Sequence, residues 1–232
     1  MRRIPRLFLG VTAAALLIAG CGSEDEAAPG DPADKPGAAS SPAPARSTAD
    51  ADPLPVRITG PQQGVAASGS DMEDPPGRPG RGADFTSQVE YALQGDLLSD
   101  ARVEGRTTAV CPDGVTRKAN ASSACIVTYE GVEIPYTVTI GESYEEGDVL
   151  TPYRAEPKKR LLLAKRVHDA FWEQFGGSAG MTLSCADMPV AEAVDEGAPT
   201  GHLCRTVRDG GRVADYEVTV DSYGPRFGRV QD

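Results

Sequence analysis

The sequence predicts an α+β fold: two tandem small domains, each one helix packed on an antiparallel sheet, behind a disordered N-terminal tether. Three observations carry this expectation. The run Tyr136-Thr137-Val138-Thr139-Ile140 recurs as Tyr216-Glu217-Val218-Thr219-Val220, 80 residues later. Cys111-Pro112-Asp113 and Cys125, upstream of the first run, are answered by Cys185-Ala186-Asp187 and Cys204 upstream of the second. From Gly22 to Ala83 there is no Phe, Trp or Tyr, while 11 of the 19 prolines fall there.

The chain opens with the zones of an export signal. Arg2, Arg3 and Arg6 supply positive charge, and Leu7 to Ala19 is apolar apart from Gly10 and Thr12. Such a run is well short of the roughly 20 residues a permanent membrane-spanning helix needs. Its end, Ile18-Ala19-Gly20-Cys21, resembles the bacterial lipobox, in which small residues precede a cysteine that receives diacylglycerol and becomes the first residue after cleavage. The resemblance implies a signal peptide at 1–20 and a lipid anchor on Cys21, holding the chain to the outer, extracytoplasmic face of the cell membrane. Two or more acyl chains suffice for stable anchoring.

Removing residues 1–20 takes away three arginines and no acid, so the formal charge of -11 becomes -14. A body this acidic excludes nucleic acid as a partner, because affinity for phosphate backbones rests on a basic surface. Residues 21–83, rich in Pro, Ala, Gly and Ser, cannot bury enough apolar surface to offset their ordering entropy and read as a tether. Within them only Leu54-Pro55-Val56-Arg57-Ile58-Thr59 has strand character, and the adjacent prolines suggest an isolated extended piece.

Globular composition begins at Phe85. The first repeat is placed at 84–148: Asp84 is a capping candidate, and Phe85, Val89, Leu93 and Leu97 share one helical face. The second is placed at 149–232, with Pro157 in the first helical turn, Lys158, Lys159 and Arg160 opposing the helix dipole, and a stripe of Leu163, Val167, Phe171 and Phe175 ended by Gly176-Gly177. Behind each helix three strands are expected. Val138 and Ile140 alternate with Thr137 and Thr139, as a half-buried strand should. Glu130-Gly131 and Asp209-Gly210-Gly211 are hairpin turns.

Once Cys21 is assigned to lipid, the four remaining cysteines read as disulfides. Homologous halves are expected to close on themselves, Cys111 to Cys125 and Cys185 to Cys204, with cross-repeat pairing as the alternative.

The pattern Val110-Cys111-Pro112, then Cys125-Ile126-Val127-Thr128-Tyr129, Gly131 and Tyr136 to Ile140, resembles a small domain of unknown function found in lipoproteins and membrane-tethered proteins of high-GC Gram-positive bacteria. The resemblance implies a cystatin-like fold, one helix on a curled antiparallel sheet. The second repeat departs from the pattern at Ala186, where proline is expected, and in its longer loop between cysteines. Since the family has no assigned activity, no functional residue is carried over.

Signals for chemistry are sparse. His168 is expected at the surface of the second helix and His202 in a Gly-flanked loop, neither in a catalytic motif. Bridged cysteines are unavailable as nucleophiles or metal ligands. Glu142, Glu145, Glu146 and Asp148 crowd one loop where calcium would find carboxylate oxygens, but the spacing is not that of an EF-hand and a solvated loop is the expectation. Gly176 to Gly180 lacks the lysine of a phosphate loop. Trp172 is expected in its helix interface, and Tyr144 and Tyr223 as core residues or binding anchors.

The functional expectation is therefore a membrane-anchored lipoprotein acting as a non-catalytic binding, scaffolding or sensor-accessory module. Its partner would be an envelope protein or glycan, with no cofactor and no metal. The alternatives are an inhibitor of an exported protease or other hydrolase, and an enzyme of unknown type that would need a cleft joining His202 to acidic residues.

Overall fold

The computed structural model describes residues 52–231. The signal peptide at 1–20, the lipidation site Cys21 and the tether as far as residue 51 lie outside the described residues. The architecture is mixed α+β, with two α-helices and several antiparallel sheets.

The strand β1 (Val56–Ile58) comes first and is followed by a single 3-10 turn, Gly69–Asp71. The helix α1 (Phe85–Ala101) starts where the sequence places it, because Asp84 accepts a bond from the Ser87 amide at 3.0 Å. It ends where Arg102 turns left-handed at φ 52° and returns its N–H to Leu98 O. Val89, Leu93, Leu97, Leu98 and Ala101 form its buried face.

Against that face lies a four-stranded sheet of β2 (Thr107–Val110), β3 (Ser122–Tyr129), β4 (Val132–Ile140) and β5 (Tyr153–Pro157), in that order and antiparallel throughout. Glu130 and Gly131, both at positive φ, make the two-residue turn between β3 and β4. That conformation matches the twist of the flanking strands. Val138 and Ile140 are buried, as their alternation with threonine requires.

After β5 the chain forms β6 (Arg160–Leu163) and then α2 (Ala164–Phe175). The expectation that Pro157 opens the second helix is corrected here. Pro157 ends β5 opposite Tyr136, Lys158 and Lys159 lie in the turn beyond it, and Arg160 begins β6 opposite Val194. The reason is the run Leu161-Leu162-Leu163, whose period of two serves both sides of a ribbon. Leu162 is buried in the core beneath α2, while Leu163 is buried, and Leu161 packed, in the core beneath α1. The partner strand β8 (Ala191–Val194) does the same, with Ala191 and Ala193 on the first core and Val194 in the second. This two-stranded ribbon separates the two cores.

The second large sheet holds β7 (Met181–Cys185), β9 (Leu203–Arg208), β10 (Arg212–Asp221) and β11 (Gly224–Arg229), with β1 added at the β7 edge. Its core is built on Val167, Phe171, Leu183, Val218 and Val220. Phe171 meets Phe175 at 4.8 Å, Phe227 at 4.9 Å and Tyr216 at 5.8 Å between ring centroids.

The two disulfides join Cys111 to Cys125 and Cys185 to Cys204. In both large sheets the second cysteine faces a tyrosine across the next strand, Cys125 opposite Tyr136 and Cys204 opposite Tyr216.

A second correction concerns the tether. Residues 52–83 do not all stand apart from the folded body. Val56, Arg57 and Ile58 pair with Cys185, Ser184 and Leu183, and the Leu54 amide donates to Ser184 Oγ at 2.9 Å. Further on, the Gln62 amide donates to Asp169 Oδ1 at 2.8 Å, the Ala66 amide to Arg102 O at 2.8 Å, and Met72 packs on the first core. Pro53 and Pro55 are compatible with this because β1 is an edge strand, where a missing N–H costs no ladder bond. The segment is a strap that crosses from the β7 edge, over α2, to the end of α1.

Candidate ligand cavity

Five parts of the chain converge on one cleft: the C-terminal end of α1, Tyr136 in β4, the turn from β5 into β6, the first turn of α2, and the turn from β10 into β11. The cavity measures about 150 Å³. Arg102, Lys159, Arg160 and Arg166 line it, against the carboxylates of Asp100 and Asp221. Ser99, Tyr136 and Ser222 contribute hydroxyl groups, and Leu97, Leu161, Leu163 and Val220 contribute apolar wall.

Lys159 is paired with Asp195 at 2.8 Å, and each of the three arginines stands at the cavity for a local reason. Arg102 is the left-handed residue that closes α1, and its guanidinium donates to the carbonyls of Ala66 and Ala67 in the strap. Arg160 stands at the start of β6, with Nη2 donating to Glu196 at 3.1 Å and Nη1 3.7 Å from Asp100. Its Nε is buried without a hydrogen-bond partner.

Arg166 lies in the first turn of α2 and is 6% exposed. Its Nε and Nη1 are buried without partners, and its nearest carboxylate, Asp169, is 3.7 Å away. Burial depresses the Arg166 pKa, and the neighbouring Arg102 adds to the effect. Buried guanidinium groups ordinarily carry a full set of acceptors.

The acids facing this cluster are perturbed the other way. Partial desolvation raises the Asp100 pKa although its side chain is 55% exposed, with Arg160 opposing the shift and Asp96 adding to it. Partial desolvation alone raises that of Asp96. Both line an adjoining groove of about 500 Å³ with Glu156 and Glu196, and Tyr136 and Arg160 belong to both walls. Asp221 is already engaged, accepting from Tyr223 N at 2.7 Å and Arg226 Nε at 2.8 Å.

The residues singled out in the sequence fare unevenly. The cysteines are held in the two bridges. His168, expected at the surface, is half-buried, its Nε2 has no partner, and burial lowers its pKa. His202 Nε2 lies 3.0 Å from Glu192 Oε2, but neither residue lines the arginine cavity or the acidic groove.

Among the acids of the 142–148 loop, Asp148 accepts from the Glu145 amide at 2.9 Å. Among the described residues no group of three or more His, Cys, Asp or Glu side chains is placed to hold a metal ion, and no helix is long and apolar enough to cross a membrane.

Tyr144 and Tyr223, equivalent in sequence, part company. Tyr144 is buried, whereas Tyr223 is 82% exposed at the cavity rim with Arg226 stacked on its ring. Trp172 packs against the second core. Sequence reasoning missed Arg102 and Arg166, and noticed Arg160 only as an unfavourable charge on a helix. No local motif marks them, because each belongs to a different element.

No protein-family model matches the chain, and no curated protein or solved structure matches it either.

Proposed function

We propose that the folded part of this chain is a non-catalytic binding module with the arginine-lined cavity as its ligand site. The more particular reading is a membrane-anchored extracytoplasmic lipoprotein, tethered through diacylglyceryl-Cys21, that serves the cell envelope as a binding, scaffolding or sensor-accessory component with an envelope protein or glycan as partner. The observation that carries the binding reading is Arg166: a guanidinium 6% exposed at a cavity wall with two nitrogens unpartnered. Such a group is costly to the fold alone, and a binding role for the cavity beside it accounts for its retention.

The two helix-and-sheet halves are proposed to be copies of one duplicated cystatin-like unit. Supporting this are the matching cysteine–tyrosine pairs and the bridge that joins corresponding strands in each half.

A photocrosslinking amino acid at Tyr223, on the cavity rim, tests the binding role in intact cells. One dominant adduct that disappears in Arg166→Met is expected; a spread of adducts unaffected by that substitution would overturn it. Incorporation of an alkyne fatty acid, lost in Cys21→Ser, tests the anchor, and labelling that survives Cys21→Ser rejects it. Inhibition of an exported hydrolase, the alternative, predicts that the purified protein slows a secreted protease.

A further inference from the structure

A second groove, of about 380 Å³, opens on the second large sheet and shares no residue with the cavity described above. It lies on the sheet face that α2 covers, at the C-terminal end of that helix. The ring contact of Tyr216 with Phe171 marks the face, and Phe175, the last residue of α2, forms one wall. Alternate residues of a strand share a face, so Arg212 and Ala214 lie on the same side of β10 as Tyr216. Across the ladders Arg208 stands opposite Arg212, Thr206 opposite Ala214, and Arg229 opposite Tyr216. Arginines from β9, β10 and β11 thereby line one groove.

No carboxylate belongs to that lining. All three arginines are exposed, and among the described residues none of their guanidinium groups has a hydrogen bond or an ion pair. Arg205, on the other face of β9, shows the contrast, since both oxygens of Asp215 accept from it. Arg208 and Arg212 are like charges directly opposite each other, an arrangement that costs stability unless an anion joins them. On a chain of formal charge -11 such a cluster is a local reversal. The floor adds an independent feature. Thr206 is 4% exposed, yet its hydroxyl has no hydrogen-bond partner among the described residues and is not sealed from the groove. Polar groups buried to that degree ordinarily have a partner.

We infer that this groove binds a phosphate monoester carried on a small apolar body, with Arg208, Arg212 and Arg229 taking phosphoryl oxygens and the Thr206 hydroxyl donating from the floor. A monoester has about -1.5 to -2 charges at pH 7 and three acceptor oxygens, which suits donors arriving from three strands. A carboxylate presents its two oxygens in one plane and is satisfied by a single guanidinium fork. Phe175, Met181 and Tyr216 supply wall for the apolar body. The volume falls within the roughly 300–1,000 Å³ of small-molecule sites, which an inorganic ion alone would leave mostly empty.

Titration of the full chain with phenyl phosphate, at ionic strength held constant with sodium chloride, tests the inference by calorimetry. Saturable binding is expected, at least about tenfold weaker in Arg208→Gln and in Arg212→Gln, since each removes a charge-assisted donor. Thr206→Val, which deletes one neutral donor and keeps the shape, should weaken it about fivefold. Benzoate keeps the ring without the phosphoryl group and inorganic phosphate keeps the group without the ring; each is expected to bind more weakly than phenyl phosphate. Without ligand, the two arginine variants should melt no lower than the parent, because each relieves the like-charge pair.

No saturable binding of phenyl phosphate, or binding undiminished in both arginine variants, would overturn the inference. Unliganded variants that both melt lower would assign these arginines to the fold's own bonding and overturn it too. Benzoate binding as tightly as phenyl phosphate would reject the phosphoryl group, and inorganic phosphate doing so would reject the apolar body. Since the two sites share no residue, none of these failures touches the reading of the first cavity, which the Tyr223 crosslink tests separately.

Discussion

Ile58 sits at the edge of the second core, 4% exposed and opposite Leu183. Ile58→Ala removes three carbons from that position. At about 0.8 kcal/mol per buried methylene the transfer loss is about 2.4 kcal/mol. The cavity left behind adds to it, within the roughly 2–5 kcal/mol seen for such truncations. Because β1 is a three-residue edge strand that can relax inward, the lower half of that range applies, about 3 kcal/mol. Trp172, the single tryptophan, packs on the same core and reports its unfolding by fluorescence. With a urea dependence of about 2 kcal/mol per molar, the midpoint should fall by about 1.5 M. Arg57→Ala, at the exposed position beside it, serves as control and should stay within about 0.5 kcal/mol of the parent. An Ile58→Ala loss no larger than that of the control would refute the docked strand and return residues 52–83 to the role of a free tether.

Three further outcomes are expected. In Gly69→Ala the new methyl would meet the Ser99 carbonyl oxygen at 2.6 Å, so the substitution should lower stability by about 1–3 kcal/mol; an unchanged melting temperature would contradict the packing of the strap on α1. Replacing both Cys185 and Cys204 by alanine opens a loop with a sequence separation of 19, which in the chain-entropy treatment lowers stability by about 3 kcal/mol, read as a shift in the urea midpoint. Asp96 is solvent-exposed, yet partial desolvation where its carboxyl borders the acidic groove raises its pKa in the folded state; solvent screening keeps the effect small, so its ionisation destabilises the fold slightly above that value and not at all below the ordinary aspartate value of about 3.9. Asp96→Asn should therefore be more stable than the parent at pH 7, with the gap closing as pH falls toward 3; a gap independent of pH would assign the effect to something other than this carboxyl.

What the sequence by itself determined is local. Asp84 caps α1 with the Ser87 amide, Glu130 and Gly131 turn β3 into β4, Val138 and Ile140 face inward by alternation, and the cysteines close within their own halves. Each of these depends on residues within one element or one hairpin, so the pattern that specifies it is contiguous. The tertiary structure decided the rest. β1 pairs with a strand some 130 residues away, and Pro53 and Pro55 fit an edge strand as well as they fit a spacer. Leu163 continues the helical stripe of Val167 and Phe171, yet Leu161 to Leu163 form a strand because two cores, one on each side, can be filled at once only by alternation. The cavity is the furthest from sequence: Arg102 ends one helix, Arg160 begins a strand and Arg166 begins another helix. Only packing brings these three side chains to one cleft and leaves nitrogens of Arg160 and Arg166 buried without acceptors.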